Sequence, residues 1–271
     1  MNNDIITLSN GSSAAIYHAD STAPTKFVLY FHGGGFVYGS KSDLPEALKH
    51  TFLDAGYTVL AVDYLLAPNA PLSKIVNNAY QSLCELTEQL IKDAPYGLCG
   101  RSAGGYLMFL LTKQLLLERK QLPDFLVNFY GYTDLAFLKD ERSIFDKKIT
   151  AAQIATVDLE APVWDDPHMT RFLLYIYAVQ NNLLPDYYGM DATKDPELRI
   201  TDQQLASFPK LFSSASTMDH EVPFRYSKAA AKKNPNGRFV PLYDLDHDFL
   251  KSTEEPQVAN MLKKLSEWLS T

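Results

Sequence analysis

Residues 96–105 read YGLCGRSAGG and place Ser102 between Gly100 and Gly104, after one apolar run and before another, YLMFLLTKQLLLER. A serine hydroxyl becomes a useful nucleophile only when a base takes its proton and the chain holds its oxygen outward. The pattern G-x-S-x-G between a strand and a helix does the second of these, through the strained turn known as the nucleophile elbow. Small residues two before and two after the serine let that turn approach neighbouring backbone. The helix beginning there directs its positive end at charge developing near the serine. A tight loop without chemistry would use the same residue types, so the rest of the chain must supply the partners.

One such partner is His32-Gly33-Gly34-Gly35, directly after the apolar run KFVLYFH (26–32). A serine attacking an ester produces an oxyanion, which needs preorganised donors. Glycine N–H groups approach such an oxygen closely because no Cβ intervenes. A flexible glycine loop is the plainer alternative. A histidine-led triplet ending the strand two before the elbow strand favours the oxyanion reading.

The elements that would carry these loops alternate. DIITLS and SAAIYHA read as a hairpin about Asn10-Gly11. KFVLYFH reads as a strand buried on both faces, followed by a helix from Ser42 to about Ala55, with Ser42 or Asp43 as N-cap and Gly56 beyond its end. YTVLAVDY (57–64) is the next strand, and Ile75, Ala79, Leu83, Leu86 and Leu90 recur at a nearly helical period. YGLCG, DFLVNFYGY (124–132), PKLFSSAS (209–216) and RFVPLYD (238–244) read as further strands. Helices are expected after Ser102, from about Pro223 to Lys233, and at the end in MLKKLSEWLS. This alternation predicts an α/β fold: a mostly parallel sheet with helices on both faces.

Residues 135–205 are too long for a simple strand-to-strand connection. They hold Trp164, Phe172, Tyr175, Tyr177, Tyr187 and Tyr188, with helical segments around DKKITAAQIATV and HMTRFLLYIYAVQ. Most of these aromatics would pack a subdomain. As a whole the stretch reads as a cap over a pocket, dividing the chain into a core of 1–134 and 206–271 and a cap of 135–205.

HGGGF, VDYLLAPNAP and GRSAGG, in that order, resemble the oxyanion loop, the D-Y-R-L-A-P segment and the G-D-S-A-G-G elbow of the hormone-sensitive-lipase-like esterases, a group of α/β-hydrolases. The resemblance implies the α/β-hydrolase fold and serine-dependent hydrolysis of short-chain acyl esters without a cofactor. It also implies that the N–H groups of Gly33, Gly34 and Ala103 are the oxyanion donors. A base and an acid should then follow in the order serine, acid, histidine. Of the six histidines, His18 and His50 precede the elbow, His32 braces the glycine loop, His168 sits in the insertion, and His220 comes too early and adjoins the acid. His247, in YDLDHDFL between the last strand and the last helix, remains, and His247-Asp248-Phe249 resembles the group's His-Gly-Phe. For the acid, Asp219 follows the penultimate strand, and D-x-x-V-P there resembles the acid-bearing segment of many α/β-hydrolases. Asp244, Asp246 and Asp248 are nearer His247 in sequence but read as solvated loop charge.

Three departures stand out. Arg101 occupies the elbow position where the group carries Asp or Glu, and Leu65 and Asn69 replace an arginine and a glutamate as if one charged network had been exchanged as a unit. About thirty residues precede His32, too few for the N-terminal cap of many members, which leaves the lid to 135–205. None removes a catalytic group; all bear on the substrate.

Bulk properties narrow the alternatives. The 271 residues are 46% hydrophobic and 21% charged, with a formal charge of -7, which disfavours nucleic-acid and anionic-membrane partners. The start, MNNDIITLSNGSS, has no basic or long apolar region, and no run of about 18 apolar residues occurs, so neither a secretory signal nor a membrane span is expected. Cys84 and Cys99 form no disulfide framework or metal-ligand spacing. The expected setting is the cytoplasm, with no metal or cofactor and a small acyl ester as substrate; the final helix and last strand are candidates for a homodimer edge. An amide hydrolase on the same triad is the runner-up, and a non-catalytic binding protein ranks below it because serine, acid and histidine are all present.

Overall fold

The structure, a computed structural model, describes residues 4–20, 26–189 and 196–271; of the insertion, 190–195 lie outside the described residues. In chain order the strands and helices are β1 (Asp4–Thr7), β2 (Ser13–Tyr17), β3 (Lys26–Phe31), α1 (Glu46–Asp54), β4 (Tyr57–Val62), α2 (Leu72–Leu86), β5 (Tyr96–Arg101), α3 (Ala103–Leu117) and β6 (Phe125–Phe129). They continue as α4 (Ala151–Ile154), α5 (Phe172–Gln180), α6 (Leu184–Tyr187), α7 (Asp202–Ser207), β7 (Lys210–Ser216), α8 (Arg225–Lys233), β8 (Gly237–Leu242) and α9 (Pro256–Leu269). The strands form one sheet in the order β1-β2-β4-β3-β5-β6-β7-β8. The β1–β2 hairpin joins it antiparallel, and β3 to β8 run parallel.

Alternation along the central strands sends side chains to two cores. Leu29, Phe31, Leu60 and Leu98 face one layer with residues of α2 and α3, whereas Val28, Tyr30, Val59 and Cys99 face the other with α1 and α9. The parallel strands therefore end in one row of loops, where ligands of open α/β sheets bind.

The helix expected from Ser42 is interrupted. Lys41–Asp43 forms a 3-10 turn capped by Ser40, and α1 begins only at Glu46. Pro45 is the reason, since its ring pushes Leu44 out of the helical region to ψ 117. In the insertion, α4 is a single turn opened by a Thr150–Gln153 capping box. The Asp158 side chain then accepts from the N–H groups of Glu160 and Ala161, a local turn that competes with further helix. The second expected helix starts late, at Phe172, because the Asp166 carboxylate accepts from the N–H groups of Thr170 and Arg171.

Candidate active site

Ser102 joins β5 to α3 with φ 53 and ψ -122, a conformation open to a non-glycine residue only when the surroundings impose it. The Ser102 N–H donates to Phe129 O at 2.9 Å, and its carbonyl accepts from Gly105 N at 3.0 Å. The flanking glycines are dictated by contact. A Cβ at Gly104 would run into the carbonyl oxygens of Phe31 and His32, and one at Gly100 into the carbonyl of Gly104. The elbow thus sits hard against the end of β3, where the glycine loop begins.

That loop is held from behind. Tyr64 Oη donates to the carbonyls of His32 at 2.8 Å and Gly33 at 3.2 Å, and the His32 ring lies flat on Tyr64 with centroids 4.2 Å apart. His32 Nδ1 donates to Gly33 O at 2.7 Å, which makes His32 a brace and commits that nitrogen to its proton. In a trans peptide the N–H points opposite its carbonyl, so the N–H groups of Gly33 and Gly34 face away from Tyr64. A Cβ at Gly33 would stand 3.4 Å from that of Ser102. Ala103 opens α3, leaving its N–H without an intrahelical acceptor.

His247 and Asp219 approach from the loops after β8 and β7. His247 Nε2 lies 2.8 Å from Ser102 Oγ, and Nδ1 lies 2.7 Å from Asp219 Oδ2. The Asp219 side chain is fully shielded from solvent. Its other oxygen accepts from the N–H groups of Glu221 at 2.9 Å and Val222 at 2.8 Å, so that the carboxylate closes a short turn with the residues two and three positions on. Ser216 Oγ accepts from Leu245 N at 3.0 Å and stitches the two loops together. Burial pulls the His247 imidazole toward neutrality, but the charge of Asp219, helped by Glu221 and by Asp219's hydrogen bond, outweighs it and raises the group from 6.5 to about 9.

Among the other histidines, His18 pairs with Asp4 at the surface and His50 lies near Glu46 on α1. His168 and His220 are exposed. Asp248, read from sequence as solvated charge, is instead bound by Arg101 and by Tyr130 Oη at 2.9 Å. Burial pushes its carboxyl up, but Arg101 and then Lys251 hold it well below the usual carboxylate range. The expected loss of a network at Leu65 and Asn69 has a counterpart in the insertion. Arg171 donates to Val37 O at 2.8 Å, Ala67 O at 2.9 Å and Asn69 Oδ1 at 2.6 Å. Nothing local to Arg171 in the sequence signals that contact, whereas Tyr64 lies in the VDYLLAP segment already singled out.

A cleft of about 700 Å³ opens beside His247, lined by Ile144, Phe145 and Lys147 of the insertion and by His220, Glu221 and Asp248. Tyr175 of α5 closes over the glycine loop: a Cβ at Gly35 would strike its ring, and its hydroxyl donates to Glu221 at 3.0 Å. No group of three or more His, Cys, Asp or Glu side chains fit to hold a metal occurs among the described residues. Nor is any helix among them long and apolar enough to cross a membrane.

An elbow after the third parallel strand of the sheet, a glycine loop and a histidine after the last strand define an α/β-hydrolase arrangement. The family described as alpha/beta hydrolase fold matches residues 28–219, and the chain belongs to it. The match takes in the glycine loop, Ser102 and Asp219 and stops before His247. A solved structure of an alpha/beta hydrolase superfamily protein from Enterococcus faecalis is similar at 48% identity and a TM-score of 0.96, covering 99% of this chain and 98% of that one. The ethyl acetate hydrolase of Pseudomonas putida is 37% identical over 112 residues, 40% of this chain and 35% of that protein. The hormone-sensitive lipase of Bos taurus is 30% identical over 112 residues, 40% of this chain and 15% of the lipase, so the similarity spans a small part of that protein.

Proposed function

We propose that the chain is a serine carboxylesterase acting on short-chain acyl esters, with residues 135–205 as its cap. The observation that carries this reading is the continuous path Asp219–His247–Ser102, with links of 2.7 and 2.8 Å, ending on a serine held in elbow geometry. When His247 is neutral, Asp219 fixes the tautomer with the proton on Nδ1, leaving Nε2 free to take the Ser102 proton. Ser102 Oγ attacks the acyl carbon, and the N–H groups of Gly33, Gly34 and Ala103 receive the oxyanion. The imidazolium returns its proton to the leaving alcohol, and a water activated by the same histidine cleaves the acyl-enzyme.

Tyr175 against Gly35, with Tyr38 5.5 Å from it centroid to centroid, leaves little room above the glycine loop and supports a small acyl group. The similarity to an ethyl acetate hydrolase supports the same size class. Hydrolysis of p-nitrophenyl acetate, butyrate and octanoate and of an aminoacyl anilide, by wild type beside Ser102→Ala, tests the reading. Short esters should turn over, with activity abolished in the variant. Retained activity in Ser102→Ala would remove the serine from the mechanism, and preference for the anilide would replace ester by amide chemistry.

A further inference from the structure

Arg101 precedes the nucleophile, and its side chain is only 5% exposed. Nε donates to Tyr30 Oη of β3 at 2.7 Å, Nη2 meets Asp43 at 2.7 Å, and Nη1 meets Asp248. Each contact belongs to a different part of the site. Asp43 lies in the 3-10 turn that follows the glycine loop, and Asp248 is the residue after His247. Tyr130 donates to the same Asp248 oxygen, and its ring packs on His247 with centroids 4.6 Å apart. Phe249, next in the chain, packs edge-to-face on Tyr130 with centroids 4.9 Å apart.

A buried guanidinium bound to two carboxylates adds little net stability over an apolar side chain of similar volume. What its planar fork supplies is direction, because it fixes two partners at set angles from one rigid group. Positions 101 and 248 are also both places where the chain departs from the esterase pattern it resembles.

We propose that Arg101 is a positioning residue for the base: through Asp248 it fixes the loop that presents His247 to Ser102, and through Asp43 it locks that loop to the turn behind the glycines. This rests on the Ser102–His247–Asp219 reading. A displaced base slows proton transfer after the ester has bound, so the effect falls on kcat and spares KM.

The test is a double-mutant cycle on p-nitrophenyl butyrate with Arg101→Met, Asp248→Asn and their combination, beside Arg101→Lys and Ser102→Ala. Each single change in the cycle should lower kcat roughly 10- to 100-fold, the scale of a misplaced catalytic group, with KM within about twofold. The combined variant should be no slower than the slower single one, because both act through one contact, and Arg101→Lys, which keeps the charge but not the fork, should recover little of the rate. Wild-type kcat in Arg101→Met or in Asp248→Asn, losses that multiply in the combination, or a change confined to KM would overturn the clamp. If Arg101→Met does not fold, Asp248→Asn and Arg101→Lys still decide the matter: full kcat in either overturns it. Activity persisting in Ser102→Ala would bring down the triad reading and the clamp with it, whereas a dead Ser102→Ala beside an unaffected Arg101→Met brings down the clamp alone.

Discussion

Asp219→Asn keeps the size of the acid and its acceptor for the N–H groups of Glu221 and Val222 while removing the charge that faces His247. The imidazole rises from 6.5 to about 9 in its present surroundings, which at 1.36 kcal/mol per unit favours the imidazolium by about 3 kcal/mol. Burial acts in the opposite direction and is the largest single influence, so the charges, led by Asp219, supply more than that net figure. Without Asp219 burial should prevail, and the imidazole should titrate below its ordinary value. Because only the neutral ring accepts the Ser102 proton, kcat/KM of the wild type should climb with pH toward a midpoint near 9. In Asp219→Asn that midpoint should fall to about 6.5 or lower. The plateau should drop by about 10⁴, since the amide no longer enforces the productive tautomer. Initial rates with p-nitrophenyl butyrate from acid to alkaline pH, corrected for spontaneous hydrolysis, give both numbers. An unmoved midpoint, or a plateau lowered less than about tenfold, would refute the assignment of Asp219 as His247's partner.

The same shift carries a sign for stability. Between 6.5 and about 9 the native state holds a proton that the unfolded chain has released. His247 thus contributes fully below 6.5, and its contribution drains away as pH rises through that window. Melting of the wild type should fall relative to His247→Gln across it, by roughly 2–4 °C per kcal/mol lost; parallel curves would contradict the raised value. Gly104→Ala ought to favour the helix by propensity, but its Cβ meets the carbonyls of Phe31 and His32. Activity should therefore fall on the order of 10²-fold as elbow and glycine loop separate, and unchanged kcat would show that they are not in contact. Arg171→Met deprives the carbonyls of Val37 and Ala67 of a buried donor, so stability should fall by about 2–4 kcal/mol, measured by urea unfolding; a loss under about 0.5 kcal/mol would mean those carbonyls find other partners. Tyr175→Phe removes one hydrogen bond to Glu221 and should change the butyrate-to-acetate ratio with little effect on melting; an unaltered ratio would take Tyr175 out of the acyl pocket wall.

What could be read from the sequence was local, and what could not was the product of long-range pairing. The central strands announce themselves because burial on both faces makes them continuous apolar runs, and the elbow and glycine loop because close backbone contact admits only glycine at Gly100 and Gly104. The break at Pro45 was also legible in principle, since a proline fixes the residue before it; the cap residues Ser42 or Asp43 and Gly56 pointed to one continuous helix. Arg101 is the opposite case. Its partners stand 58 and 147 positions away, and no periodicity connects them. Read alone, arginine in an elbow looks like a liability beside a base that must take up a proton, and Asp248 looks like a surface charge. Joined, the two form an ion pair between the elbow and the loop that carries His247. A charged residue at an unexpected position beside a nucleophile is thus best read as half of a pair, and the other half is to be sought on whichever loop carries the base.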